Sequence, residues 1–278
     1  MACSVEIICV GNELLIGKTL NTNAQWLADQ ITRLGGKVTR IIEVGDDVQE
    51  IASVVKEAVR REVDFVITSG GLGPTFDDKT LQGISKATGK RLKLNPEALR
   101  LVRDRYKEMS PPKRLRLTKP RVKMAILPEG SSPIPNPVGT APGVLVEYRG
   151  ARLISLPGVP KELKAIFERI IAEMIRRKSG GVAFYESSMV VRGIVESALS
   201  PLIDRVMRRN RGVYVKSHPK GGEGRGGALI ELHFSSTEKD REKARERVIK
   251  AIIDMARILG KTRSGLPRNP GCPSLFSF

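Results

Sequence analysis

Cysteine, histidine and aromatic residues are all scarce in this chain of 278 residues. Three cysteines (Cys3, Cys9 and Cys272) are too few and too scattered for a disulfide framework or a zinc site, and the two histidines (His218 and His233) add no metal-ligand spacing. A reducing compartment, the cytoplasm, follows from that usage. No run of about 18 apolar residues occurs. The opening MACSVEIICVG passes straight into a strand pattern, which predicts neither a membrane span nor a secretory leader. Aromatics are 4% of residues, and that scarcity matters because the net charge is +18. From Arg100 to Lys123 ten Lys/Arg face only Asp104 and Glu108, and a second basic cluster, RVMRRNRGVYVK, spans 205–216. Neither interleaves aromatics as stacking on single strands requires, so specific nucleic-acid binding is not expected. The charge fits the solvated surface of a thermophile and a field that draws in small anionic substrates.

What is present is a regular alternation of strands and helices. A hydrophobic content of 40% supports a real core, and the length suits one and a half to two domains. SVEIICV, KVTRIIEV and VDFVITSG read as strands. NTNAQWLADQITRLGG and VQEIASVVKEAVRR read as the helices between them, with a third helix from about 77 to 88. That order predicts a mostly parallel sheet with helices on both faces. Residues 96–109 are expected to be helical, PPKRLRLTKP an excursion loop, and MAILP (124–128) a strand. VLVEY and RLISLPG form a hairpin, and Pro160 opens a helix in VPKELKAIFERIIAEMIRRK. After SGG (179–181) the pattern becomes βαββα. The expected organisation is an α/β domain over 1–178, a small α+β domain over 179–262 and a loosely held tail over 263–278.

Three glycine-containing loops stand out. GNELLIGKT (11–19) is one residue too long between its glycines for a phosphate loop of the nucleoside triphosphatases, and carries Glu13 and bulky aliphatics where small residues belong. Its glycines either turn the chain or, with Glu13 and the Asn21-Thr22-Asn23 cluster, present a ligand site. TSGGLGPTFDDKT (68–80) leaves the carboxyl end of the third strand, the edge at which open α/β sheets bind ligands. Gly70, Gly71 and Gly73 permit close backbone approach to phosphate. Asp77 and Asp78 beside a phosphate imply a shared cation, and oxygen ligands plus phosphate suit Mg²⁺. The alternative is that Asp77 caps the helix. PNPVGTAPG (135–143), with three prolines and two glycines, is a rigid connector.

GNELLIGKTLNTNAQ, VGDD (44–47), TSGGLGPTFDDKT, NPVGTAPG and LPGVPKEL together resemble the molybdopterin-binding-like domain of the competence/damage-inducible protein CinA family. The likeness covers about residues 4 to 175 and, more loosely, the small domain to about 260. That domain is similar to those of the MoaB/Mog-type molybdopterin adenylyltransferases and of gephyrin. The resemblance implies a three-layer αβα fold followed by a small α+β domain, and a homo-oligomer. It implies that Gly70, Gly71 and Gly73 bind nucleotide or pterin phosphates, and that Asp78 and Asp46 serve catalysis and hold a divalent metal (Mg²⁺, with Mn²⁺ or Co²⁺ as alternatives). Glu13, Asn23, Thr75, Gly139 and Thr140 are then expected to bind the substrate. Leu72 stands where the pterin enzymes carry threonine. The implied activity is hydrolysis of a nucleotide pyrophosphate such as ADP-ribose. The alternatives are molybdopterin binding or adenylylation, and a non-enzymatic binding module using the basic face. Residues 180–260 do not resemble the nicotinamide-mononucleotide deamidase domain of many family members, so that activity is not expected.

Overall fold

The structure, a computed structural model, describes residues 3–109, 117–220 and 228–263, with side chains as far as residue 260. The tail expected to be loosely held, the basic run 110–116 and Cys272 lie outside the described residues. The chain divides into two compact units, Met1–Ser179 and Gly180–Phe278.

The first unit begins β1 (Cys3–Val10), α1 (Asn12–Leu15), α2 (Thr22–Arg33), β2 (Gly36–Val44), α3 (Val48–Arg60), β3 (Phe65–Ser69) and α4 (Thr80–Thr88). An excursion follows: β4 (Leu92–Leu94), α5 (Pro96–Met109), α6 (Lys119–Lys123), β5 (Ile126–Pro128) and β6 (Ser132–Ile134). The unit closes with β7 (Gly143–Tyr148), β8 (Ala151–Leu156) and a long helix. That helix comprises α7 (Pro160–Ile166), a π-helical turn (Phe167–Ile171) and α8 (Ala172–Lys178). Six strands form one sheet in the order β2-β1-β3-β8-β7-β6. The first four are mutually parallel; β7 runs antiparallel to β8, and β6 antiparallel to β7. The β7–β8 hairpin turns through Arg149 and Gly150, both at positive φ (49° and 84°), the geometry of a tight two-residue turn.

Alternate residues of β1 enter opposite layers, as the two-residue period of a strand requires. Val5, Ile7 and Cys9 pack with Leu27 and Ile31 of α2 and with Leu163, Phe167 and Ile171 of the closing helix. Ile8 and Val10 pack with Ile51 and Val55 of α3 and Ile84 of α4. The result is a three-layer αβα unit with a mostly parallel sheet. Each fully buried aliphatic contributes about 1.5–3 kcal/mol of transfer free energy. Coverage on both faces explains why β1 reads as an almost unbroken apolar run. Its exception is Glu6, only 1% exposed, whose carboxylate receives Nε and Nη2 of Arg61 at 2.7 and 2.8 Å. Cys3 and Cys9 are also buried, and burial pushes both thiols up to about 11, so they behave as small hydrophobes rather than nucleophiles.

Three local expectations differ from the structure. Helix α4 starts at Thr80 rather than near Asp77, because the hydroxyl of Thr75 holds both aspartates in the preceding loop. Overlapping the end of the expected excursion loop, Lys119–Lys123 forms a helical turn with Pro120 near its start, where proline costs no hydrogen bond. Leu92–Leu94 pairs antiparallel with Ile126–Pro128 as a two-stranded sheet, and Ser132–Ile134 adds an edge strand; both are too short to show a sequence period.

The second unit is β9 (Ala183–Arg192), α9 (Glu196–Arg209), β10 (Val213–Pro219), β11 (Leu229–Glu238) and α10 (Arg241–Arg263). Its antiparallel sheet has the order β10-β11-β9. Met189, Val191, Leu232 and Phe234 pack with Leu199 and Val206 of α9 and with Val248 and Met255 of α10. Glu186, Ser188, Glu231 and His233 alternate with those core residues and so lie on the other face of the sheet. Among the described residues, no helix is long and apolar enough to cross a membrane.

Candidate active site

The helix after β1 (α2) and the helix after β3 (α4) lie on opposite faces of two adjacent strands. That divergence opens a crevice at the carboxyl ends of an α/β sheet. Here it forms a cleft of about 370 Å³ lined by the loops that follow β1, β2, β3 and β8, with Met124 and Thr140 closing one side.

The loop after β3 carries the most special backbone. Gly70 and Gly71 have φ of 102° and 67°, and a Cβ at either would collide with the carbonyl of Val10 or the hydroxyl of Thr80. Neither position accepts another residue without strain. The buried Thr80 fastens the loop from below, its hydroxyl donating to the Gly70 carbonyl at 2.7 Å and its N–H to the Gly71 carbonyl at 3.2 Å. From the excursion, Lys123 Nζ donates to the carbonyls of Asp78 (2.8 Å), Gly73 (3.4 Å) and Thr75. Burial lowers the Lys123 pKa, with Asp78 and Asp77 opposing the shift. With its carbonyls bound, the loop leaves the N–H groups of Gly71, Leu72 and Gly73 without a hydrogen-bond partner among the described residues.

Acidic groups surround these amides. Thr75 donates both its N–H (2.8 Å) and its hydroxyl (2.6 Å) to Asp78 Oδ2, and its hydroxyl also contacts Asp77. The Thr75 hydroxyl is the main reason the Asp77 pKa is lowered. The Asp78 carboxylate rests on Gly73, where a Cβ would stand 2.7 Å from Oδ2. After β1, Glu13 folds over Gly11 in the same manner, with a Cβ there 2.5 Å from each carboxylate oxygen. Asp46 Oδ2 accepts the N–H of Asn12 at 3.0 Å, while the Asp46 N–H donates to Asn12 Oδ1 at 3.2 Å. This reciprocal pair joins the first two loops. The adjacent Asp47 caps α3 through the N–H groups of Gln49 (2.7 Å) and Glu50 (3.0 Å), which lower its pKa.

Residues 6–177 match the family described as the probable molybdopterin binding domain. The chain belongs to this family. A protein of Caldivirga maquilingensis is 44% identical over 247 residues, covering 88% of this chain and 93% of the relative. A protein of Aeropyrum pernix is 44% identical over 266 residues, covering 96% and 97%. The crystal structure of CinA from Thermoplasma acidophilum superposes with a TM-score of 0.56 at 40% identity, covering 62% of this chain and 98% of that one.

Within this molybdopterin-binding-like unit, the cleft gathers Glu13, Asp46, Gly70, Gly71, Gly73, Asp78 and Thr140. Asn23, Thr75 and Gly139 are not among its lining residues. Asn23 instead ties two loops together, its Nδ2 donating to Ser69 Oγ (3.0 Å) and the Gly158 carbonyl (2.7 Å). Thr75 turns inward to the aspartates, and Gly139 lies beneath the carboxylate of Glu162. Asn21, of the cluster considered for a ligand site, caps α2 through the Ala24 N–H at 3.0 Å. Asp77 does not cap α4; Lys79 occupies that position without a side-chain bond. Sequence reasoning missed Lys123, Asn136 and Glu162. The last of these stands inside LPGVPKEL, four residues past the Pro-Gly pair that follows β8.

Asp46 and Asp78 each keep their Oδ1 free of hydrogen bonds among the described residues. No group of three His, Cys, Asp or Glu side chains there is arranged to hold an ion unaided. This donor set fits a cation shared with substrate phosphates, the manner in which Mg²⁺ is commonly bound.

Proposed function

We propose that the cleft hydrolyses the pyrophosphate of a nucleotide such as ADP-ribose, using a divalent cation bound together with the substrate. The observation that carries this reading is the run of three N–H groups, Gly71 to Gly73, with no hydrogen-bond partner among the described residues, in a loop braced through its carbonyls and bordered by carboxylates. Consecutive free amides make an anion-binding concavity. Bare carboxylates beside it would repel phosphate unless a cation intervenes. Asp46 and Asp78 would hold that cation through their free oxygens, and when bound it would neutralise the phosphates and lower the pKa of a coordinated water. Thr75 fixes the rotamer of Asp78, and Asn12 fixes that of Asp46. Glu13 stands over Gly11 on the same wall and would orient the substrate. The balanced reaction is addition of water across the pyrophosphate, giving AMP and ribose 5-phosphate from ADP-ribose. Chromatography of the products with Mg²⁺, Mn²⁺ and Co²⁺ in turn tests it. Release of AMP is the expected result, and no cleavage of any nucleotide diphosphate in a broad panel sinks it.

The family match favours a second reading, in which the same loop holds a pterin phosphate and the chain binds or adenylylates it. Formation of adenylylated pterin from ATP, without hydrolysis of ADP-ribose, would select that reading. Fold likeness alone does not choose between the two chemistries.

A further inference from the structure

Glu162 is an acid for which the hydrolytic scheme has no use, yet its carboxylate is held by a buried asparagine. Asn136, only 4% exposed, spends its whole hydrogen-bonding capacity there. Its Oδ1 accepts the N–H groups of Val138 (3.0 Å) and Gly139 (2.8 Å), while Nδ2 donates to the Ala141 carbonyl (2.9 Å) and to Glu162 Oε2 (2.7 Å). Arg105 of α5 grips the same loop, donating to the carbonyls of Val138 (2.7 Å) and Gly139 (3.0 Å). A Cβ on Gly139 would collide with the Glu162 carboxylate, so glycine there makes room for it. Glu162 Oε1 has no partner among the described residues, and Glu162 lines the cleft. An ionised carboxylate is acceptor-only, so this oxygen recognises a hydrogen-bond donor on the ligand.

Position specifies which donor. Glu162 follows β8, the neighbour of β3 that carries the free amides, and adjacent strands are about 4.8 Å apart. The two loops touch: a Cβ on Gly158 would lie 3.3 Å from Gly70 Cα, and Asn23 clamps Ser69 and Gly158 together. Glu162 and the free amides therefore line one cleft, on loops that touch. In a nucleotide the group joined directly to the phosphate is the sugar, whereas the base lies farther along. Asp46, after β2, is on the opposite side of the free amides in the strand order.

We propose that Glu162 accepts hydrogen bonds from the ribose hydroxyls of the bound nucleotide and selects ribonucleotides over deoxyribonucleotides. This rests on the cleft being a nucleotide pyrophosphate site. The test is calorimetric binding, with Mg²⁺ present, of ADP, 2′-deoxy-ADP, 3′-deoxy-ADP and inorganic pyrophosphate to three proteins: the native chain, Glu162→Gln and Gly139→Ala. Glutamine keeps the bond from Asn136 and turns a donor toward the ligand, whereas alanine at 139 displaces the carboxylate without altering it. The native chain is expected to hold ADP about tenfold or more tighter than at least one deoxy analogue, the scale of a hydrogen bond to a charged group. Both variants should lose that ratio while binding pyrophosphate unchanged and melting as a folded protein. Equal binding of ADP and both analogues by the native chain overturns the proposal, as does an equal loss for all four ligands in Glu162→Gln. Failure of the native chain to bind any ligand, pyrophosphate included, overturns the phosphate site itself and this inference with it.

Discussion

Thr75 grips Asp78 twice through one oxygen, its N–H at 2.8 Å and its hydroxyl at 2.6 Å both reaching Oδ2. The other oxygen has no hydrogen-bond partner among the described residues. Replacing Asp78 with Asn removes the charge, while the amide oxygen can still accept both bonds from Thr75. Turnover of ADP-ribose should fall by about two orders of magnitude or more, the loss felt when one strong transition-state electrostatic contact goes. Because Asp78 is half-buried and bonded, a stability cost of about 1 kcal/mol should accompany it. Thr75→Val should lower turnover by a smaller factor, since the charge remains but its rotamer is freed. Steady-state rates across a Mg²⁺ titration, with a melting curve for each variant, measure both. Normal turnover by Asp78→Asn removes this site from the mechanism.

Lys123 belongs to the excursion, yet its ammonium group closes the loop after β3 through three carbonyls. Lys123→Met keeps the stem and loses the donors. The free amides would then be held less firmly, so KM for a nucleotide diphosphate should rise several-fold, with a smaller change in kcat. A stability loss of about 1–2 kcal/mol is also expected, for hydrogen bonds made by a charged donor. Unchanged KM alongside that stability loss would assign Lys123 to folding alone.

The second unit should weaken as pH rises through neutrality. His233 on β11 contacts Glu186 on β9 at 2.7 Å and Glu231 on its own strand at 3.2 Å. The ring of His218 on β10 lies 4.7 Å away, and Lys220 pairs with Glu231 at 2.9 Å. The hydrogen bond to Glu186 is the largest cause raising the His233 pKa, with Glu231 adding to it against the effect of burial. A raised folded pKa means that the contribution is complete below the unfolded value, about 6.5, and is lost as pH climbs through the folded one. Glu231 is held down at about 2, chiefly by Lys220, so it stays ionised over this range. Melting of the native chain from pH 5.5 to 8.5 should show stability of this unit declining, and His233→Gln should flatten the decline. A flat profile in the native chain would falsify the assignment.

Glu6 and Arg61 should respond unequally to deletion. Arg61 is 28% exposed and Glu6 only 1%. Removing Glu6 leaves a guanidinium that reaches water and still meets Glu57 at 3.6 Å. Removing Arg61 strands a buried carboxylate, for which breaking a pair costs about 3–5 kcal/mol. Arg61→Met should therefore destabilise the first unit more than Glu6→Gln in denaturant titrations. The reverse order would show that Glu6 has another route to solvation.

The sequence by itself determined the layers of the fold. Apolar runs of strand length alternating with capped amphipathic helices leave few arrangements, and β1 to α3 follow that pattern almost to the residue. It also singled out the glycine loop after the third strand, whose glycines line the cleft at the carboxyl end of β3. The small unit was legible for the same reason, its strands and helices being long enough to show their periods.

Tertiary structure alone decided which polar groups face one another. Asn23 and Gly158 are 135 residues apart in the chain, and Asn136 and Glu162 are 26 apart; such pairs carry no local signal. Capping was the alternative for Asp77 because it is the common local use of aspartate, but the nearer hydroxyl of Thr75 took it, and the helix begins at Thr80. Gly139, expected to bind substrate, leaves the space into which the Glu162 carboxylate folds. Periodicity reports what a residue hides from water, whereas hydrogen bonds between loops are settled only when the sheet brings the strand ends side by side.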